Sequence, residues 1–141
     1  MPTNADPAEL VFLLRDTLAE LVRREGPDLT ARQMTVLLTV YLMEGPHTVR
    51  GLAADLNVSK PAITRALNRL GEFDLVRRKP DPSDRRSVLV GQTRTGLAFQ
   101  RDLGQIMQRA ERERKAVQSS ERTADTAPAV KVHTGSKAPS R

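Results

Sequence analysis

On a helical wheel, Pro61, Thr64, Arg65, Asn68 and Arg69 share one arc, and Ile63, Ala66, Leu67, Leu70 and Phe73 fill the arc opposite. The first set is compact or hydrogen-bonding throughout, and its chemistry matches the edge of a base pair. Arg presents parallel N–H groups to O6 and N7 of guanine, Asn offers a donor and an acceptor to adenine, and Thr can bond an edge or touch a thymine methyl. A merely solvated helix face would show the same division, so the wheel alone leaves both readings open.

Ser59 and Lys60 stand where that helix begins. Free backbone amides and the positive end of the helix dipole favour a phosphate there, a contact that fixes register without reading sequence. A second cationic group follows. Arg77-Arg78-Lys79 and Asp84-Arg85-Arg86 flank a short turn, and arginine on such a finger suits the focused negative potential of a narrow minor groove. Asp84 lies two residues from Arg86 on one strand face, so its carboxylate can hold the guanidinium in one rotamer by a charge-assisted bond. The plainer alternative is a solubilising hairpin turn.

The surrounding pattern supplies elements to position these groups. Asp6-Pro7-Ala8-Glu9 is a capped helix start, followed by Leu10, Leu14, Leu18 and Leu21 with Val11, Leu13 and Val22 beside them, until Gly26-Pro27. Thr30 to Gln33 repeats the capping logic before a nearly continuous apolar run, Met34 to Leu42, which reads as the central buried helix. Thr48 caps a short third helix through Leu56, Asn57 suits a left-handed turn, and Ser59 caps the fourth, to about Phe73.

Leu75-Val76-Arg77-Arg78 and Ser87-Val88-Leu89-Val90, separated by Pro and Asp, read as a two-stranded hairpin. Thr93 caps a fifth helix carrying Phe99, Leu103, Ile106, Met107 and Ala110, charged from Arg109 to Lys115. From Gln118 to Arg141 large apolar residues are nearly absent, which predicts a disordered tail. The expected organisation is an N-terminal helix over 1–28, a winged helix-turn-helix over 29–92, a C-terminal helix over 93–117 and the tail over 118–141. The fold class is mainly α with a small β-hairpin wing.

Composition narrows the function. The 141 residues carry a net charge of +6, which favours an anionic partner. Residues 58–91 hold eight Lys or Arg against four Asp or Glu, so most of the excess sits in the segment with the base-edge chemistry. No cysteine is present, which removes disulfides, thiolate nucleophiles and Cys-ligated zinc. His47 and His133 are far apart, and no glycine-rich phosphate loop occurs, so neither an enzyme, a metal site nor a cofactor is expected. His47 reads as a surface turn residue. The polar start, Met1 to Asp6, and the lack of a long apolar run predict a cytoplasmic, nucleoid-associated protein with no membrane partner.

The run Leu52-Ala53-Ala54-Asp55-Leu56-Asn57-Val58-Ser59-Lys60-Pro61-Ala62-Ile63-Thr64-Arg65-Ala66-Leu67-Asn68-Arg69-Leu70, then Leu75-Val76-Arg77-Arg78 and Asp81-Pro82-Ser83-Asp84-Arg85-Arg86-Ser87-Val88, resembles the MarR family of transcription regulators. The wing motif is its most specific element, and the resemblance extends from about Leu10 to Phe99. It implies a repressor that grips a pseudo-palindromic double-stranded site as a homodimer, recognition helices in successive major grooves and wings in the flanking minor grooves. It further implies Thr64 and Arg65 on bases, Ser59 and Lys60 on phosphates, and Arg86, held by Asp84, in the minor groove.

The sequence departs from the family pattern at three places. Pro61 falls where relatives often carry a small hydroxyl residue. Asp74 takes the usual glycine position after the fourth helix, which an Asp tolerant of left-handed backbone can fill. The last helix of the family dimer has no apolar counterpart after Gln118, which leaves dimerisation to the first and fifth helices. A small-molecule effector is common in the family, but Phe12, Tyr41, Met43 and Phe99 read as core more readily than as a pocket. The reading from another class is a winged-helix interaction module that docks on another regulator or on polymerase without binding free DNA.

Overall fold

The computed structural model describes residues 4–126. Five helices and a three-stranded antiparallel sheet follow in the order α1 (Pro7–Arg23), α2 (Ala31–Leu42), β1 (His47–Thr48), α3 (Val49–Leu56), α4 (Lys60–Glu72), β2 (Val76–Asp81), β3 (Asp84–Gln92) and α5 (Arg94–Asp125). The expected class, a helical protein with a small β wing, is the observed one.

Local chemistry accounts for most boundaries. Asp6 accepts from the Ala8 amide at the start of α1, Thr30 and Gln33 form a reciprocal capping box on α2, and Thr48, Ser59 and Thr93 cap α3, α4 and α5. Asn57 adopts the left-handed conformation at φ 53° between α3 and α4. Asp74 does the same after α4, at φ 54°. Short polar side chains tolerate this backbone better than other non-glycine residues, so Asp74 fills its position without a glycine.

The core lies where α2, α3, α4 and the sheet meet. Val36, Leu37, Ile63, Leu67 and Leu70 are completely buried, with Val40, Leu52, Ala53, Ala66, Leu75, Val76 and Val90 around them. The inner arc of the fourth helix therefore packs as its spacing predicts, and Phe73 joins it from the α4 C-cap. Tyr41 and Phe99 also pack against this core, whereas Phe12 and Met43 are exposed, so the four aromatic and sulfur side chains serve separate places.

The sheet has one strand more than the two expected. β1 pairs with β3 through His47 to Val90 and Thr48 to Leu89, giving the order β1-β3-β2. β2 and β3 pair regularly from Val76 opposite Gln92 to Pro80 opposite Val88, after which Asp81 faces Asp84. Arg85, Arg86 and Ser87 thus fall opposite no residue of β2. Proline has no N–H to give the ladder, so the break comes where Pro80 ends regular pairing.

α5 corrects the expectation for residue 118 onward. The helix runs unbroken through Gln118 to Asp125, 32 residues and about 48 Å at the α-helical rise. Lack of apolar residues was a poor guide, because propagating an existing helix needs far less than nucleating one. The added turns also contain good helix formers, Gln118, Glu121, Arg122 and Ala124. The rest of the expected disordered tail, 127–141, lies outside the described residues.

α1 lies antiparallel on α5. Glu9 at its start meets Arg114, and Leu21 near its end borders the same cleft as Phe99, Leu103 and Ile106. Leu13, Thr17 and Leu21 are drawn inward, so of the leucine stripe only Leu21 is partly covered and Leu10, Leu14 and Leu18 face out. Leu10, Val11, Leu14, Leu18 and Val22 keep between 46% and 77% of their exposure, so the most apolar face of α1 has no cover among the described residues.

Candidate nucleic-acid interface

α4 is held by its buried arc, and its other arc is presented whole. Pro61, Thr64, Arg65, Asn68 and Arg69 are all exposed, over buried Ala62, Ile63, Ala66, Leu67 and Leu70. At the N-terminus the Ser59 hydroxyl accepts from the Ala62 amide at 3.2 Å, so its own proton is left to donate outward. Lys60 follows as the first helical residue, and Pro61 costs no hydrogen bond in this first turn.

The outer arc is not uniformly available. Arg69 donates to Glu72 at 2.9 Å and lies over the Phe73 ring, 4.6 Å from its centroid, which turns it toward the helix C-terminus. Asn68 Oδ1 accepts from Arg78 Nη2 at 2.7 Å. Among the described residues, Thr64 and Arg65 engage no other side chain by hydrogen bond or ion pair. The five residues that share an arc in sequence thus divide into two open groups, one engaged with its own helix, one engaged with the hairpin, and a proline.

A cleft of about 300 Å³ lies between α4, α3 and the hairpin, lined by Arg50, Lys60, Thr64, Arg78, Arg86 and Ser87 with two valines. Among the described residues four cationic side chains line it and no carboxylate does. Such a cluster is costly unless an anion neutralises it. Arg50, in the first turn of α3, is the functional candidate that the sequence reading missed. It lies on the exposed side of the helix before the turn, outside the charge excess of residues 58–91.

The hairpin tip is built by two aspartates. Asp81 Oδ1 accepts from the Ser83 hydroxyl at 2.7 Å and the Ser83 amide at 2.9 Å. The Ser83 side chain, then its amide, hold the Asp81 carboxyl below its ordinary value. Asp84 Oδ1 accepts from the backbone N–H of Arg86 at 3.0 Å. This corrects the expected bond between Asp84 and the Arg86 guanidinium. A carboxylate accepting from an amide two residues on closes a local turn, which ranks ahead of a long, solvated side-chain pair. Arg85 and Arg86 remain exposed on the segment that lies opposite no β2 residue.

One polar joint sets the angle between this unit and α5. The Tyr41 hydroxyl accepts from the Thr93 amide at 2.8 Å and donates to the Leu75 carbonyl at 2.8 Å. The Thr93 hydroxyl donates to the Asp74 carbonyl at 2.6 Å and accepts from the Gly96 amide at 2.9 Å. Among the described residues no group of three or more His, Cys, Asp or Glu side chains is placed to hold a metal ion, and no helix is long and apolar enough to cross a membrane.

The comparisons with known proteins agree with this architecture. Residues 29–88 match the family model of the MarR family. A crystal structure of MarR aligns at 28% identity and TM-score 0.53, over 84% of this chain and 87% of that one. A mutant of MarR from E. coli aligns at 26% identity and TM-score 0.57, over 86% and 95%. The S. aureus MepR–DNA complex shares the fold at TM-score 0.60 and 19% identity, over 84% and 92%. No curated protein matches the sequence. The winged helix over residues 29–88 is thus similar to that of the MarR family, and MarR structures align along most of the chain's length.

Proposed function

We propose that this protein binds double-stranded DNA and regulates transcription, with α4 in the major groove and Arg86 of the hairpin in the adjacent minor groove. The observation that carries this reading is the cleft where Arg50, Lys60, Arg78 and Arg86 converge beside Thr64 without a carboxylate. A duplex brings phosphates to such a cluster and base edges to the helix between them. Thr64 and Arg65 are the base readers, Ser59 and Lys60 hold phosphate, and Arg85 supports Arg86. Asp84 acts through the backbone of the wing. Arg69, turned toward Glu72 and Phe73, contributes charge more than base contact. MepR and AbfR, whose solved structures are complexes with DNA, have the same fold.

The protein acts as a homodimer that brings two α4 helices to successive major grooves. The support is the apolar face of α1, which a second copy matches by definition and which the described residues of one chain leave in water. The winged helix, 29–92, meets DNA, and α1 with α5 pairs the chains.

Footprinting and titration against salt test the reading. Affinity falls steeply as salt rises, because several phosphate contacts release counterions. Lys60→Ala weakens binding to all sequences and flattens the logarithmic salt slope by about one, while Arg65→Ala chiefly lowers discrimination between bases. A protein that protects no promoter site at modest salt, its own promoter included, is instead the protein-docking module.

A further inference from the structure

Asn68 is the residue of α4 whose chemistry the fold changes most. A free Asn reads adenine by donating from its NH₂ to N7 and accepting from the N6 amino group with its carbonyl oxygen. Here that oxygen accepts from Arg78 Nη2 at 2.7 Å, across from β2 to α4. A guanidinium has donors only, so the bond also fixes which way the amide points. The NH₂ is left outward and the oxygen is turned to the hairpin.

We propose that Arg78 sets the base specificity of Asn68, converting an adenine reader into half of a donor-only pair that selects guanine. The carbonyl oxygen keeps a second lone pair, but a donor from adenine N6 would have to approach it beside a cation already in contact. The remaining N–H groups of Arg78 and the NH₂ of Asn68 instead offer donors only, and guanine alone presents two acceptors, N7 and O6, in the major groove. Regular pairing of Arg78 opposite Val90 anchors the β2 end of this bridge, and buried Leu67 anchors the α4 end. Arg78 also lines the cleft with Lys60 and Thr64, which keeps it on the face that meets the duplex. Arg78 is thus a positioning residue for Asn68 besides a cation in its own right. The inference rests on the DNA-binding reading above.

Selection of binding sites from a random double-stranded library, with the full chain at fixed salt, tests it. The position whose preference collapses in Asn68→Ala is the one that Asn68 reads. Guanine is expected there in the unaltered protein, favoured over adenine about fivefold or more. Arg78→Met and Arg78→Ala, both at an exposed position, move that preference to adenine and leave the preferences set by Thr64 and Arg65 in place. A cation that served only phosphate would lower affinity uniformly and shift no preference. Adenine at that position in the unaltered protein, or a preference unmoved by both Arg78 variants, overturns the proposal while DNA binding stands. Loss of no preference in Asn68→Ala overturns it also. Failure of the unaltered protein to enrich any sequence overturns the DNA-binding reading, and this inference with it.

Discussion

The guanidinium of Arg114 lies over the ring of Phe12, 3.7 Å from its centroid, and its Nε donates to Glu9 Oε2 at 3.0 Å. A cation held between an aromatic face and a carboxylate ties the start of α1 to the late turns of α5. The Arg114 hydrogen bond is the main reason the Glu9 carboxyl sits below its usual value, against partial desolvation and with help from Gln118. A lowered folded value means that the bond stabilises the protein above the unfolded carboxylate range, near pH 4.3, and that this contribution fades as pH falls through the folded value. Glu9→Gln should therefore lower Tm by a few degrees at pH 7, with the gap to the unaltered protein closing as the melts are repeated down toward pH 3. Arg114→Ala should cost more than Glu9→Gln, since it also uncovers Phe12.

Pairing of two chains has its own test. Leu14 and Leu18 keep 57% and 49% of their exposure, so a charge at either position meets water in a lone chain and is buried only if a partner covers α1. Leu14→Glu and Leu18→Glu should leave helix content and melting of the winged helix intact while halving the solution mass measured by light scattering. Binding to a two-half-site duplex should fall toward that of a single half-site, because the paired helices no longer act together. A mass unchanged by both substitutions would remove α1 from the interface.

The fold was legible wherever its cause was local. Caps at Asp6, Thr30, Thr48, Ser59 and Thr93, the left-handed turns at Asn57 and Asp74 and the buried arc of α4 are each written within a few residues. What escaped depends on partners distant in sequence. β1 is only His47 and Thr48, a strand because Val90 and Leu89 lie beside it. The inward face of α1 follows from α5, and three of its four stripe leucines, Leu10, Leu14 and Leu18, face away. In the candidate site, the outer arc is exposed as its spacing predicts, but the engagement of Arg69 and Asn68 within the chain was not legible. The bond from Arg78 to Asn68 exists because β2 runs past α4, and Arg50 enters the cleft because α3 crosses behind it.

The joint at Tyr41 should be intolerant of small changes. Tyr41→Phe leaves the Thr93 amide and the Leu75 carbonyl short of a partner, a loss of about 1–3 kcal/mol. A Cβ at Gly96 would collide with the Tyr41 ring and hydroxyl and with the Leu75 carbonyl oxygen. Gly96→Ala should cost about as much as an overpacked core, roughly 1–3 kcal/mol, although alanine is the better helix former. Denaturant melts of the double variant decide the cause. Removing the hydroxyl relieves only part of the collision, since the ring carbon and the Leu75 oxygen remain, so Tyr41→Phe should rescue Gly96→Ala incompletely.

Asp84 separates two views of the wing. If its carboxylate serves the Arg86 backbone amide, an uncharged acceptor does the same work, and Asp84→Asn should keep or raise DNA affinity, having also lost a negative charge near phosphate. Asp84→Ala removes the acceptor and frees the segment Arg85 to Ser87, which has no β2 partner to hold it. Affinity should then fall between about two- and tenfold, the worth of one ordinary hydrogen bond. A device that depended on charge, carboxylate to guanidinium, would lose affinity in both variants alike. Titration of one labelled duplex with the three proteins at the same salt distinguishes these outcomes, and Asp84→Asn is the arm that decides. Equal losses in Asn and Ala would return Asp84 to the side chain of Arg86.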